Sequence, residues 1–238
     1  MIRQCILAAA LAAAVPLAAA ADYEEVHDLA LDASGVEQLE IEAGAGSLEI
    51  RGEPGAERIT VAATVVVPDR DEDDARELIA DGLELELGVD GRRAKLVADF
   101  DAGWWGSGDN PRIDLVVRVP PALAVEVDDG SGAISVTGVN GDLRIDDGSG
   151  RIELRDLGGS VEIEDGSGSI DVVGVAGDLR IDDGSGSIDI RTVGGAVTID
   201  DGSGSVDVSD VGGDLLIVDD GSGSLRYSNV RGQVEDRS

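Results

Sequence analysis

The 238-residue chain is poor in the residues that most enzymes and redox proteins rely on: it has one cysteine, one histidine, one methionine and five aromatic residues. A lone Cys5 excludes a disulfide framework within the chain, and a lone His27 leaves little room for imidazole chemistry. Basic residues are scarce as well, with 18 Lys and Arg against 50 Asp and Glu and a formal charge of −32. Nucleic-acid binding draws on Lys and Arg that release condensed counterions, so DNA, RNA and bare anionic membrane are poor partners for this chain. What is abundant is Gly, at 34 residues, together with Ile, Leu and Val. That aliphatic content separates the sequence from acidic disordered chains, which lack the apolar surface for a core.

Residues 1–21 have the form of a secretory signal peptide. Arg3 supplies the positive start, Ile6 to Leu17 is an apolar run interrupted only by Pro16, and Ala19-Ala20-Ala21 offers small residues before Asp22. The run is shorter than the roughly 20 residues a spanning helix needs, so cleavage is expected, with no transmembrane segment left afterwards. Cleavage would remove Arg3 and Cys5, leaving a mature chain of charge −33 without cysteine. The expected location is outside the cytoplasm, in the periplasm, on the cell surface or in the medium.

An 18-residue period organises the rest. Asp-Gly-Ser-Gly begins at Asp129, Asp147, Asp165, Asp183, Asp201 and Asp220, spaced by 18 residues four times and then by 19. Between these turns, apolar residues alternate with polar ones as in strands with one buried face. Three columns recur: Val125, Leu143, Val161, Leu179, Val197 and Leu215; Ile134, Ile152, Ile170, Ile188, Val206 and Leu225; and Val139, Leu157, Val175, Val193, Val211 and Val230. Matched columns at a fixed period mean that equivalent residues stack, each coil pairing with the next at about 4.8 Å per rung. Antiparallel hairpins would pair neighbouring strands and would not require residues 18 apart to match. The pattern therefore predicts an all-β, single-stranded parallel β-solenoid with 18-residue coils.

The remainder divides around this array. Residues 22–36 form an N-terminal segment in which His27 reads as a mobile-tail residue, and 37–67 hold the first coil or coils, with Leu39-Glu40-Ile41 and Leu48-Glu49-Ile50. Residues 68–111 read as an α/β insertion: Asp71 to Ala80 has helix composition with Gly82 as its stop, strands are expected at Leu83–Leu87 and Lys95–Phe100, and Trp104-Trp105 sits in a Gly-rich loop; a further strand is expected at Ile113–Val119. Regular repeats run over 112–234, followed by a tail at 235–238.

These features resemble the bacterial putative-adhesin domains of unknown function. The likeness covers the opening coil around Leu39 to Ile50, the helix-containing insertion, the Arg118-Val119-Pro120 lead-in and the Gly-Ser-Gly ladder. The resemblance implies a right-handed solenoid and a cell-envelope or secreted setting.

Candidate sites are few. The turn aspartates Asp129, Asp147, Asp165, Asp183, Asp201 and Asp220 could ligate Ca²⁺, which takes 6 to 8 oxygens, or could serve only to bond turn backbone. Trp104 and Trp105 could contact a ligand or cap an open end of the solenoid. Glu126, Arg144, Glu162 and Arg180 alternate in sign along one face; Ser135, Glu153, Asp171, Asp189 and Asp207 form an acidic stripe on the other. No nucleophile motif occurs, and carboxylates repeated in like environments do not divide into acid and base. The expectation is a non-enzymatic binding or structural surface module without a cofactor, Ca²⁺ excepted, whose partner is an envelope polysaccharide or protein. Two readings stand beside it: a carbohydrate-active enzyme using acidic residues, and an envelope-stress regulatory component acting through a protein partner.

Overall fold

The computed structural model describes residues 22–100 and 111–237. Its elements follow in chain order: β1 (Tyr23–Asp32), β2 (Gln38–Ala45), β3 (Leu48–Gly52), β4 (Arg58–Val67), α1 (Glu72–Gly82), β5 (Leu83–Asp90), β6 (Arg93–Phe100), β7 (Arg112–Val119) and β8 (Ala124–Thr137). The regular array continues with β9 (Leu143–Asp147), β10 (Gly150–Leu157), β11 (Val161–Asp165), β12 (Gly168–Val175), β13 (Leu179–Asp183), β14 (Gly186–Val193), β15 (Val197–Asp201), β16 (Ser203–Val211), β17 (Leu215–Asp219), β18 (Ser222–Val230) and β19 (Val234–Asp236).

Each coil gives one strand to each of two parallel stacks. One stack, sheet A, runs β3, the second half of β8, β10, β12, β14, β16 and β18; the other, sheet B, runs β2, the first half of β8, β9, β11, β13, β15, β17 and β19. Residues 18 apart are direct partners, as in Val161 with Leu179 and Ile170 with Ile188. The protein is thus a parallel β-solenoid with coils of about 18 residues, and the antiparallel alternative does not describe the array. The three apolar columns are buried along the array and open only in its last coil, where Leu225 and Val230 become partly exposed. No coil encloses its own apolar face, so hydrophobic burial accrues only by stacking.

Local chemistry explains the corners. In the turn between sheets, Gly168 has φ +157°, and a Cβ there would lie 1.7 Å from the Gly150 carbonyl oxygen of the coil before it. Only glycine permits that approach of backbone to backbone. The other corner is left-handed at every coil: Gly138, Asp156, Gly174, Thr192, Asp210 and Asn229 have φ between +55° and +80°. Asp and Asn tolerate that conformation; Thr192, β-branched, does so under strain.

Down the stack, Gly141-Asp142, Gly177-Asp178 and Gly213-Asp214 alternate with Gly159-Ser160 and Gly195-Ala196, a 36-residue alternation with a direct cause. Asp142 Oδ1 accepts the Ser160 N–H of the next coil at 2.9 Å, and Asp178 Oδ1 accepts the Ala196 N–H at 2.8 Å. Each aspartate needs a backbone donor opposite it, and a second aspartate there would face the first.

The N-terminal third departs from the sequence reading in three ways. First, the chain between β4 and β8 joins the stack: β6 pairs in parallel with β2, and β7 with β3, so these strands add a coil to the outer side of the first one. The opening coil is thereby enclosed, with β8 stacked on its other side. Second, Gly82 is the last helical residue and is buried, while Leu83 caps the helix; at the other end, the Asp71 carboxylate accepts the Asp74 N–H at 3.0 Å. Third, His27 lies in β1, which pairs antiparallel with β4 over its full length, and is no tail residue. β4 pairs antiparallel with β7, and β5 with β6. These antiparallel strands and α1, which buries Ala75 and Ile79, close this end of the core.

Candidate functional site

Alternation along the strand preceding each turn decides where the acidic pairs point. In β9, Leu143 and Ile145 face the core, Arg144 and Asp146 face out, and Asp147 faces the core again. The same holds down the stack, so that Asp129, Asp147, Asp165, Asp183 and Asp201 form one in-register inward column while Asp128, Asp146, Glu164, Asp182 and Asp200 stand outside. The five inward residues are between 0% and 6% exposed. Ala43 and Ala98 continue the column towards the capped end.

Each of Asp147, Asp165, Asp183 and Asp201 uses Oδ1 to accept the N–H of the serine two residues on, at 3.0–3.1 Å. This is the Asx turn that makes aspartate a turn former. In all five the second oxygen, Oδ2, is buried with no hydrogen-bond partner. Burial therefore dominates their acidity. It pushes Asp129 up to about 7, with the charges of Asp147 and Asp128 adding to the effect. Asp147 and Asp183 rise to about 6 from the same primary cause, and Asp165 and Asp201 are raised as well. A carboxyl that retains its proton avoids the cost of an unpaired buried charge.

The sixth turn aspartate, Asp220, does not join this column. Val218 adds a residue to the last coil, the register shifts between Ile199 and Asp200, and Asp219 takes over the turn, accepting the Gly221 N–H at 2.8 Å. Among the described residues, no three His, Cys, Asp or Glu side chains gather as a cation site. Partners in the column are one rung apart, roughly 4.8 Å, so they line up along the axis instead of converging on a point. Trp104 and Trp105 lie outside the described residues.

The outer faces carry the charge patterns seen in the sequence. On sheet A, the stripe Glu153, Asp171, Asp189 and Asp207 is in register from coil to coil. Arginines bridge it: Arg151 lies 2.8 Å from Asp171 and 3.4 Å from Glu153, Arg191 lies 3.0 Å from Asp189, and Arg226 lies 3.5 Å from Asp207. Exposed pairs of this kind contribute about 0–1 kcal/mol each. On sheet B, Glu126, Arg144, Glu162 and Arg180 are successive partners. Arg144 pairs with Glu162 at 2.8 Å, and Gln38 donates to Glu126 at 2.7 Å. Over this face runs an open groove of about 500 Å³ that crosses the coils from Gln38 to Thr198, with Asp142, Ser160 and Asp178 along one side.

His27 lies with its Nε2 3.3 Å from the Glu25 carboxylate, and no nucleophile accompanies it among the contacts described. No helix among the described residues is long and apolar enough to cross a membrane.

Comparison with family models finds no match, and no curated protein matches the chain. Comparison with solved structures finds bacterial proteins of low similarity. A putative adhesin from Bacteroides fragilis is 10% identical with a TM-score of 0.39, covering 89% of this chain and 97% of its own. A putative cell adhesion protein from Clostridium sporogenes is 12% identical with a TM-score of 0.34, over 90% of this chain and all of its own. A putative lipid binding protein from Parabacteroides distasonis is 12% identical with a TM-score of 0.31, over 90% of this chain and 94% of its own. At these values the names describe those proteins and carry no argument about what this chain does.

Proposed function

We propose that this protein is an exported, non-enzymatic β-solenoid of the bacterial envelope that binds an extended glycan along the outer face of sheet B. The observation that supports this most directly is the groove from Gln38 to Thr198, which runs along the stack and not into it. Its walls repeat a carboxylate, a guanidinium, a hydroxyl or an amide at every rung, matching a ligand that is itself a repeating chain of hydroxyl groups. Arg144 and Arg180 offer rigid donor forks, and Asp142 and Asp178 offer acceptors. The preformed sheet would hold these groups at little entropic cost on binding. The carboxyls with raised proton affinity are packed against the core, away from any substrate, which favours binding over acid–base catalysis.

The test is retention of the protein on immobilised envelope and plant polysaccharides, with reducing ends measured in parallel. Retention that falls at least tenfold in Arg144→Glu with Arg180→Glu, without new reducing ends, is the expected result. Retention indifferent to those substitutions would remove the groove from consideration, and new reducing ends would make the protein a glycan-cleaving enzyme.

A further inference from the structure

The two ends of the solenoid differ in chemistry in a way that makes each fit the other. Among the described residues, four strands have only one neighbour: β1 and β18 at the two edges of sheet A, and β5 and β19 at the two edges of sheet B. The large hydrophobic side chains most exposed among the described residues lie on these four strands, one on each: Val26 at 62%, Val89 at 52%, Tyr227 at 51% and Val234 at 39%. Large apolar side chains on unpaired strand edges are what natural sheets avoid unless another chain covers them.

Tyr227 sharpens the contrast. It occupies a column that is otherwise aliphatic and buried, following Val136, Leu154, Val172, Ile190 and Val208. It is also the only aromatic residue in the chain after Trp105. Tyrosine and arginine are the residue types enriched where proteins meet. At this same coil the charge reverses, since Arg226 stands where the preceding coils have Asp207, Asp189 and Asp171. From Ser222 to Arg237 there are three arginines and two acidic residues, in a protein of net charge −32. The opposite end is strongly acidic: β1 carries Glu24, Glu25, Asp28 and Asp32, and α1 carries five acidic residues against Arg76.

We infer that the protein associates head to tail, the coil of β18 and β19 of one copy docking on β1, β5 and α1 of the next. Sheet A then continues from β18 into β1 of the second copy, and sheet B continues from β19 into β5. Arg231 and Arg237 meet the acidic helix and strand, and Tyr227 and Val234 leave water. A pair joined through two β18 ends would bury Tyr227 and Val234 but would leave Val26 and Val89 exposed and would bring arginines against arginines. Because the contact joins two different surfaces without returning on itself, it propagates as a filament and does not close as a dimer.

Two blocked variants test this, each carrying substitutions at exposed positions: Val26→Arg with Val89→Arg at one end, and Tyr227→Asp with Arg231→Glu at the other. The full chain, expressed with its own leader, is followed by sedimentation velocity over a hundredfold concentration range at low salt, with circular dichroism to check that each variant is folded. The wild type is expected to form a concentration-dependent series of oligomers that salt weakens several-fold. Each variant alone should be monomeric, and an equimolar mixture should form dimers that grow no further. A wild type that stays monomeric throughout would overturn the proposal. So would dimerisation of the Val26→Arg, Val89→Arg variant by itself, which would assign the contact to two copies of the β18 end.

Discussion

The inner turn column and the outer stripe of sheet A are built from the same acidic side chains at the same rung spacing, yet they meet opposite fates. Asp171 and Asp189 on the stripe have solvent beside them and an arginine at 2.8–3.0 Å. Asp165 and Asp183 in the column have a serine N–H on one oxygen and nothing on the other. Outside, like charges at close spacing are bridged by arginine and screened by solvent. Inside, desolvation outweighs the backbone hydrogen bonding and raises the proton affinity of the carboxyl above its ordinary range. Side-chain identity alone therefore says little about a carboxylate's surroundings in a repeat protein; the parity of the position along its strand decides them.

The largest perturbation of that contrast comes from the turn that holds the inner column in place. Gly168→Ala is expected to cost at least about 3 kcal/mol, because a methyl group would collide with the Gly150 carbonyl and the backbone cannot yield without breaking the stack. Chemical denaturation, or loss of the folded protein altogether, measures it.

Changing pH probes the two sets of carboxyls together. The inner aspartates have raised folded-state values, to about 7 for Asp129 and about 6 for Asp147 and Asp183. Their unfolded values lie near 3.9. Between about pH 4 and 7 the folded chain retains protons that the unfolded chain releases, so stability is fully present below pH 4 and is lost as pH rises to 7. Thermal unfolding should show a midpoint roughly 5–10 °C higher at pH 5 than at pH 8, given the ~2–4 °C per kcal/mol of a chain this size. A midpoint that rises between pH 5 and 8 would mean that the inner carboxyls are ionised and paired.

Single substitutions then separate the two sets. Asp183→Asn, which mimics the protonated acid, should stabilise the protein by about 1 kcal/mol at pH 8 and flatten part of the pH dependence. Asp171→Asn on the stripe should alter stability by no more than ~0.5 kcal/mol, as expected for an exposed ion pair. Urea titrations of both variants at pH 5 and pH 8 provide the comparison. A similarly modest effect concerns the opposite corner of the coil. Thr192→Gly should stabilise by roughly 0.5–1 kcal/mol, since glycine adopts φ +65° without the β-branched clash.

Much of this was legible in the sequence. The three apolar columns and the 18-residue pairing follow from periodicity, and the strands came out close to their expected bounds because turns of Gly and Asp delimit them. The inward aspartates were legible too: carrying the alternation of Leu143 and Ile145 one step further puts Asp147 on the core side. Treating these aspartates only as turn formers or Ca²⁺ ligands obscured that. Thr192 gave no comparable signal, because nothing in its own identity announces a left-handed corner; only Gly138 and Gly174 in the same column hint at one.

What the sequence by itself determined is the repeating part: 18-residue spacing makes residue i meet residue i+18, and the side-chain period of two then assigns every position in the array to the core or to solvent. Where coils do not repeat, only the tertiary structure decided. Leu39 pairs with Ala94 on one side and Val125 on the other, partners 55 and 86 residues away that no period connects. Their meeting depends on α1 and the antiparallel strands folding over the end of the stack. A local pattern can specify a neighbour at fixed separation. It cannot specify which of several similar apolar strands will be covered first, because that choice is made by the total area each arrangement removes from water.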